Sequence, residues 1–234
     1  MCFEELNNGN LIENNLLHLL YELRQTNPMY FRVAKEAYLT LYRSMIEALR
    51  GTSNISITCK RGKKKNGSIK YKRDNKPWLE INKKKVQGCN QAWRYSEPME
   101  CPEQKLNPTN YNKLRDNNYL INFFDALAMI QTECFMHRYV NSRSLKLTDE
   151  EMQILEWLHI KIRNEFEHFV PKIYLAEESS LLNATQTCMK ISKNLLFGCG
   201  LLLQTSLPTT IDNLINNAIE KIDENIKKIN ELDI

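Results

Sequence analysis

Three side chains that could act together on a phosphodiester stand close together in the second half of the chain. Arg163, Asn164 and His168 follow the pattern R-N-x-x-x-H. The guanidinium stays protonated at neutral pH and presents a fork of donors to phosphate oxygens. The imidazole, whose ordinary pKa is about 6.5, can transfer a proton near working pH, and the amide can orient the imidazole or the phosphate. Such a set can support cleavage of RNA, which carries its own 2′-hydroxyl nucleophile, without a metal ion.

The helix that would carry these residues has two sides suited to burial. At about 100° per residue, a core-facing stripe forms on one side. Its members are Leu155, Leu158, Ile162, Phe166 and Phe169. On nearly the opposite side, Trp157 and Ile160 share a face with Asn164 and His168. A second face with large apolar residues suggests burial against another surface, most simply a second copy of the chain, so Trp157 and Ile160 are the predicted dimer-interface residues.

The segment 162–172, which holds the R-N-x-x-x-H pattern and then Pro171, resembles the signature helix of the HEPN superfamily. The segment 34–51 resembles an early helix of the same superfamily, and the likeness covers residues 10–50 and 115–205. The resemblance implies an up-and-down helical bundle that dimerises to build a composite site, and RNA cleavage to 2′,3′-cyclic phosphate and 5′-hydroxyl ends. It also implies a toxin or anti-phage defence effector, with an antitoxin or regulatory protein as a further partner.

Two functions are open at this point. The first is a metal-independent endoribonuclease in which Arg163, Asn164 and His168 are catalytic. The second is a non-catalytic HEPN module that binds nucleic acid or a partner, since the superfamily includes members of both kinds. In that case Arg163 could simply pair with Glu167, four residues further along the helix.

A strongly basic segment separates the two parts that resemble the superfamily. Residues 60–85 hold 12 Lys or Arg and two acids, a net charge of +10, so the rest of the chain carries −6. Its predicted nucleic-acid-binding residues are Lys60, Arg61, Lys63, Lys64, Lys65, Lys70, Lys72, Arg73, Lys83, Lys84 and Lys85. Tyr71, Trp78 and Trp93 lie in or near the segment and could stack on unpaired bases of RNA. The alternative is a solvated loop without a ligand.

The remaining pattern predicts a mainly α protein, with one helical domain over residues 1–234 and an insertion at 52–108 between its second and third helices. Within the insertion, alternating apolar residues on either side of Asn66-Gly67 predict a β-hairpin. Helices are predicted over 11–24, from Pro28 to Gly51, over 120–134, from a capping box at Thr148 and Glu151, over 177–204, and as an amphipathic helix within 208–234. The last helix has a seam of isoleucines that could pack on its own bundle or on a partner.

Composition excludes several other classes of protein. The chain has seven cysteines without a C-x-x-C pair, which argues against a disulfide framework and a zinc ribbon, so packed thiols are expected. Neither a signal peptide nor an apolar run long enough to cross a bilayer is evident, and we expect a cytoplasmic protein with no membrane contact. No metal and no other cofactor is predicted.

Overall fold

The computed structural model describes residues 7–50, 58–63, 69–72, 83–95, 119–136, 142–162, 176–200 and 210–232. Its helices are α1 (Asn8–Leu23), α2 (Tyr30–Arg50), α3 (Phe123–Ile130), α4 (Glu133–Met136), α5 (Asp149–His159), α6 (Glu178–Lys193) and α7 (Thr210–Leu232), and a π-helical turn (Asn194–Gly198) follows α6. Its strands are β1 (Thr58–Lys63), β2 (Ile69–Lys72), β3 (Lys83–Lys85), β4 (Trp93–Tyr95) and β5 (Tyr119–Leu120). The protein is therefore mainly helical, as predicted, and forms a helical bundle.

Side-chain contacts fix the directions of the long helices. The amide of Asn8, at the start of α1, donates to the carbonyl of Arg43, near the end of α2, at 2.9 Å, so the two helices are antiparallel. The side chain of Asn225 in α7 donates to the carbonyl of Leu23 at 3.5 Å, and Thr210 donates to Glu13 at 2.5 Å, so α7 runs parallel to α1. Helix α6 packs against α2 and α7. These four helices form the main bundle.

The C-terminal helix packs on its own bundle. Ile215 and Ile222 of the isoleucine seam are fully buried, and Ile219, Ile226 and Ile229 are half-buried against the same core. Helix α7 contacts α1 and α6, so the intramolecular alternative for the seam is the observed one. An apolar stripe along α6 and the turn that follows it is buried as well, and its members are Leu181, Ala184, Cys188, Ile191 and Leu195.

Two predicted helices differ in extent from those in the structure. The helix expected over 120–134 is divided: α3 ends at Ile130, where the backbone N–H groups of Gln131 and Thr132 bond to carbonyls three residues back, at 3.3 Å and 3.0 Å. The helix expected over 177–204 gives way to the π-helical turn at Asn194, and Gly200 with φ 65° leaves the helical region altogether.

The two ends of the insertion are joined by a pair of short strands next to the bundle. Strand β1 pairs antiparallel with β5, with Thr58 opposite Leu120 and Cys59 opposite Tyr119, just before α3 begins. On its other edge β1 pairs antiparallel with β2, from Lys60 opposite Lys72 to Lys63 opposite Ile69. The two strands that flank Asn66-Gly67 therefore pair as a hairpin requires, whereas the turn itself and the alternating residues 55 and 57 lie outside the described part of the chain. The pairing with β5 was not predicted.

Candidate functional site

Helix α5, which leads in sequence to Arg163, begins where the sequence predicts. The hydroxyl of Thr148 accepts from the backbone N–H of Glu151 at 3.1 Å, and the Glu151 carboxylate accepts from the N–H of Thr148 at 2.7 Å. This reciprocal capping box satisfies two donors that the helix itself leaves without partners. Asp149 and Glu150 add negative charge to the first turn, where the helix dipole favours it.

The core-facing stripe of this helix is confirmed as far as it is described. Leu155, Leu158 and Ile162 are all 0% exposed. On a neighbouring face, His159 is a buried packing residue: its Nδ1 shares a hydrogen bond of 2.9 Å with the hydroxyl of Tyr38, and its ring stacks on Phe123 at 5.1 Å between centroids. These contacts hold the end of α5 against α2 and α3.

The three predicted catalytic residues, Arg163, Asn164 and His168, lie outside the described residues. The last described turn before them, residues 160–162, is π-helical. A π-helical turn is wider than 3.6 residues and changes the angular phase of the residues that follow it. Angles worked out on an unbroken α-helix therefore apply only as far as His159, where α5 ends.

The two predicted dimer-interface residues are both half-buried within a single chain. Trp157 packs against the hydrophobic core, and Ile160 lies in the π-helical turn that follows α5. The face of α5 opposite the core makes a contact that was not predicted. Over its first two turns it contacts a hairpin of the same chain, formed by β3 and β4, through Asp149, Gln153 and Glu156.

This β3–β4 hairpin, residues 83–95, is held by a carboxylate in the middle of α5. The side chain of Glu156 accepts hydrogen bonds from three consecutive backbone N–H groups, those of Asn90 at 2.8 Å, Ala92 at 2.9 Å and Gln91 between them. Glu156 is only 5% exposed. A buried carboxylate normally needs several donors to replace water, and here the loop backbone supplies them.

Two further side chains fix the hairpin on either side of Glu156. Arg94 donates to the Gln131 side chain at 3.0 Å and to the Leu147 carbonyl at 2.7 Å, and it forms an ion pair with Asp149. Gln153 donates to the carbonyl of Gln87 at 3.0 Å. The next residue, Gly88, has φ 76°, and a Cβ there would lie 2.5 Å from the Gln153 amide nitrogen, so this turn requires glycine.

Asp149, Gln153 and Glu156 follow the spacing i, i+4, i+7 and therefore share one face of α5. Sequence reasoning missed this face because its partners, residues 87–94, are more than 50 positions away. The local signals were few: a glycine in a turn, and apolar Val86, Ala92 and Trp93 just after the basic run of residues 83–85.

The predicted nucleic-acid-binding residues fall into three groups. Lys60, Arg61 and Lys63 lie on β1, Lys70 and Lys72 on β2, and Lys83, Lys84 and Lys85 form β3, whereas Lys64, Lys65 and Arg73 are outside the described residues. The registers place Lys60 opposite Lys72 and Lys84 opposite Arg94. Arg94 is already paired with Asp149, so its charge is balanced within the chain. Lys84 and Lys85 are exposed.

One aromatic residue considered for base stacking is unsuitable. Trp93 is 5% exposed, and its ring meets that of Tyr95 edge-on at 5.1 Å between centroids. It is a core residue that helps the hairpin pack on the bundle, so it offers no face to a base. The side chains of Tyr71 and Trp78 are outside the described part of the chain.

The cysteines described are packed thiols. Cys188 and Cys199 are buried, and Cys89 is half-buried beside Glu156. Burial, followed by the neighbouring carboxylate, raises the pKa of the Cys89 thiol to about 11, so it remains protonated and can donate to Glu156. Within the described residues, no cluster of His, Cys, Asp or Glu is suited to a metal ion. None of the described helices has the length and apolar character needed to cross a membrane.

The hydrogen bonds from residues 90–92 to the Glu156 carboxylate are expected to weaken at acidic pH. Burial alone would raise the pKa of this carboxyl, but the backbone donors of residues 90–92 and the charge of Lys85 outweigh it, and the net pKa is lowered from 4.5. Because the folded pKa is below the unfolded one, the stabilisation is complete above about pH 4.5 and is lost as the pH falls through the lowered value. The free energy of unfolding should therefore fall more steeply below pH 4.5 in the parent than in Glu156→Gln.

Chemical denaturation of both proteins between pH 6 and pH 3 measures this difference, and other carboxylates cancel in the comparison. At pH 6 the Gln variant should be less stable by about 2 kcal/mol, because an amide presents a neutral acceptor and turns an N–H₂ group toward other donors. Parallel pH curves for the two proteins would show that Glu156 does not carry the expected linkage.

Comparison with protein-family models gives no match, and searches of curated proteins and of solved structures give none either.

Proposed function

We propose that the protein is a metal-independent endoribonuclease whose catalytic residues are Arg163, Asn164 and His168. The observation that carries the proposal is the R-N-x-x-x-H motif, which follows a helix that begins at the predicted capping box and packs its apolar stripe in the core. Thr148 caps that helix, and Leu155, Leu158 and Ile162 hold one side of it in the core. The motif residues therefore follow a firmly anchored element of the bundle.

The chemistry assigns each residue a role. His168 removes the proton from the 2′-hydroxyl or donates one to the leaving 5′-oxygen. Arg163 stabilises the negative charge that develops on the phosphate, and Asn164 orients the imidazole or the phosphate. The 2′-oxygen bonds to phosphorus as the bond to the 5′-oxygen breaks, which leaves a 2′,3′-cyclic phosphate and a 5′-hydroxyl.

One imidazole cannot be acid and base at the same instant, so we propose that His168 of a second copy supplies the other group. A two-fold axis would bring the two motifs together. Trp157 and Ile160, half-buried in the single chain, are the proposed contacts across that axis. A defence or toxin role, with an antitoxin or regulatory protein as a further partner, belongs to the same proposal.

A labelled RNA incubated with the purified protein in excess chelator tests this function. We expect cleavage to continue at the rate seen without chelator, and the products to carry cyclic phosphate and 5′-hydroxyl ends. A substrate with 2′-deoxy linkages should resist cleavage, because it lacks the nucleophile. Activity that disappears in chelator, or that cuts the deoxy substrate equally well, would rule out this mechanism.

The alternative, a non-catalytic module that binds nucleic acid or a partner, is favoured by one observation. A net charge of +10 is concentrated in residues 60–85, and the register of β1 and β2 sets cations opposite each other. Binding without turnover that weakens steeply with salt supports this alternative. Unchanged binding after neutralisation of Lys63, Lys64 and Lys65 together would count against it.

A further inference from the structure

The β3–β4 hairpin carries exposed lysines next to residues that are buried against the bundle. Val86 and Ala92 are 3% and 0% exposed, and their backbones are joined by a hydrogen bond of 3.3 Å from the N–H of Val86 to the carbonyl of Ala92. Lys84 and Lys85, immediately before Val86, are exposed. Their ammonium groups therefore extend from a part of the chain that is packed on the bundle.

Glu156 is central to that packing. It engages residues 90–92, at the loop end of the hairpin, whereas Arg94 fixes the strand that follows. The Nζ of Lys85 also donates to the carbonyl of Asn90, the residue whose N–H binds Glu156. A lysine ammonium has three donors, so this bond leaves Lys85 able to contact an anion as well.

The helix that bears Glu156 is also the one that leads to the R-N-x-x-x-H motif, seven residues further along the chain. We propose that Glu156 is a positioning residue, which fixes Lys84 and Lys85 relative to α5 so that they hold backbone phosphates of the RNA. This inference rests on the proposed function for its ligand. It adds a second contact area for RNA, on the β3–β4 hairpin, apart from the R-N-x-x-x-H motif.

Glu156 is expected to strengthen RNA binding because it holds the strand that carries Lys84 and Lys85 in place before RNA binds. A lysine on an anchored strand loses less freedom when it meets a phosphate than one on a loosely held loop. If Glu156 no longer accepts the three N–H groups, Arg94 and Gln153 still hold the rest of the hairpin, so the bundle should stay folded. The two lysines would then contact phosphates less effectively.

A double-mutant cycle tests the proposal by measuring binding to a 2′-O-methylated RNA, which cannot be cleaved through its 2′-oxygen. The variants are Glu156→Gln, Lys84→Ala/Lys85→Ala, and the combination of the two. Glu150→Gln is the matched control, because it makes the same charge change on an exposed position of the same helix. Thermal unfolding confirms that each variant is folded, and Glu156→Asp, whose shorter side chain retracts from the loop, serves if Glu156→Gln does not fold.

We expect the lysine pair to weaken binding about tenfold and to reduce the salt-dependence slope by about 1.4, on the basis of two phosphate contacts to a single strand. Glu156→Gln should weaken binding about fivefold. In a protein that already carries Glu156→Gln, the lysine substitutions should weaken binding by less than about threefold, because Glu156 acts through the two lysines. With cleavable RNA, KM should rise while kcat changes little. Glu150→Gln should bind like the parent.

Additive effects in the cycle would overturn the proposal, since they would make Glu156 a structural residue only. Unchanged binding in the lysine variant would overturn it too, even if the parent cleaves RNA. A coupled cycle in a protein that does not cleave RNA would support the positioning role while the nuclease assignment fails.

Discussion

His168→Ala is expected to lower RNA cleavage by about a thousandfold or more, and Arg163→Ala by at least a hundredfold. Loss of a general acid or base typically costs about 10²–10⁴ in rate. Removing a donor that stabilises developing negative charge costs about 10²–10³. In a two-fold site each substitution removes the group from both copies, so the effect of His168→Ala should lie at the upper end of its range. Initial rates on labelled RNA in chelator measure both.

Matched controls separate chemistry from folding in this experiment. His18→Ala and Arg24→Ala make the same changes at exposed positions on and just after α1, and both should cleave RNA like the parent. The two motif variants should also keep the parent's affinity for 2′-O-methylated RNA to within a few-fold, because the basic segment is intact in them. Cleavage at the parental rate by both motif variants would remove Arg163 and His168 from the mechanism.

Features governed by nearby residues could be predicted from the sequence. The capping box depends on Thr148 and Glu151, three residues apart, and both of its hydrogen bonds are present. Burial of Leu155 and Leu158 follows from helical periodicity, which reports one face of one element. The hairpin between β1 and β2 follows from alternation on either side of a turn signal.

Features that join distant segments could not be predicted in the same way. Nothing near Glu156 indicates that it accepts N–H groups from residues 90–92, because a glutamate on a helix is usually solvated and the loop has no distinctive composition. The same holds for His159, whose partner Tyr38 lies 121 residues earlier in the chain. Periodicity also assumes a uniform helix, and the π-helical turn at 160–162 ends that assumption one residue before Arg163.

The unpredicted contact between α5 and the β3–β4 hairpin narrows the predicted dimer interface. Because the hairpin contacts the early turns of α5 through Asp149, Gln153 and Glu156, the proposed contact with a second copy lies beyond them, near Trp157 and Ile160. Ile160→Asp is therefore expected to weaken dimerisation by about a hundredfold, since an unpaired charge buried in an interface costs about 3 kcal/mol. Analytical ultracentrifugation measures the dissociation constant directly.

If the site needs two copies, Ile160→Asp should make the cleavage rate per chain depend on protein concentration. The rate should be far below that of the parent at low concentration and should recover toward it as the dimer re-forms, because the catalytic residues themselves are unchanged. Ile154→Asp is the matched control: it places the same charge at a half-buried position of α5 that packs against the chain's own core, about 120° around the helix from Ile160. That control can lose stability, but its rate per folded chain should not vary with concentration. A parent that cleaves RNA as a monomer, or an Ile160→Asp variant with a constant rate per chain, would show that one copy holds the complete site.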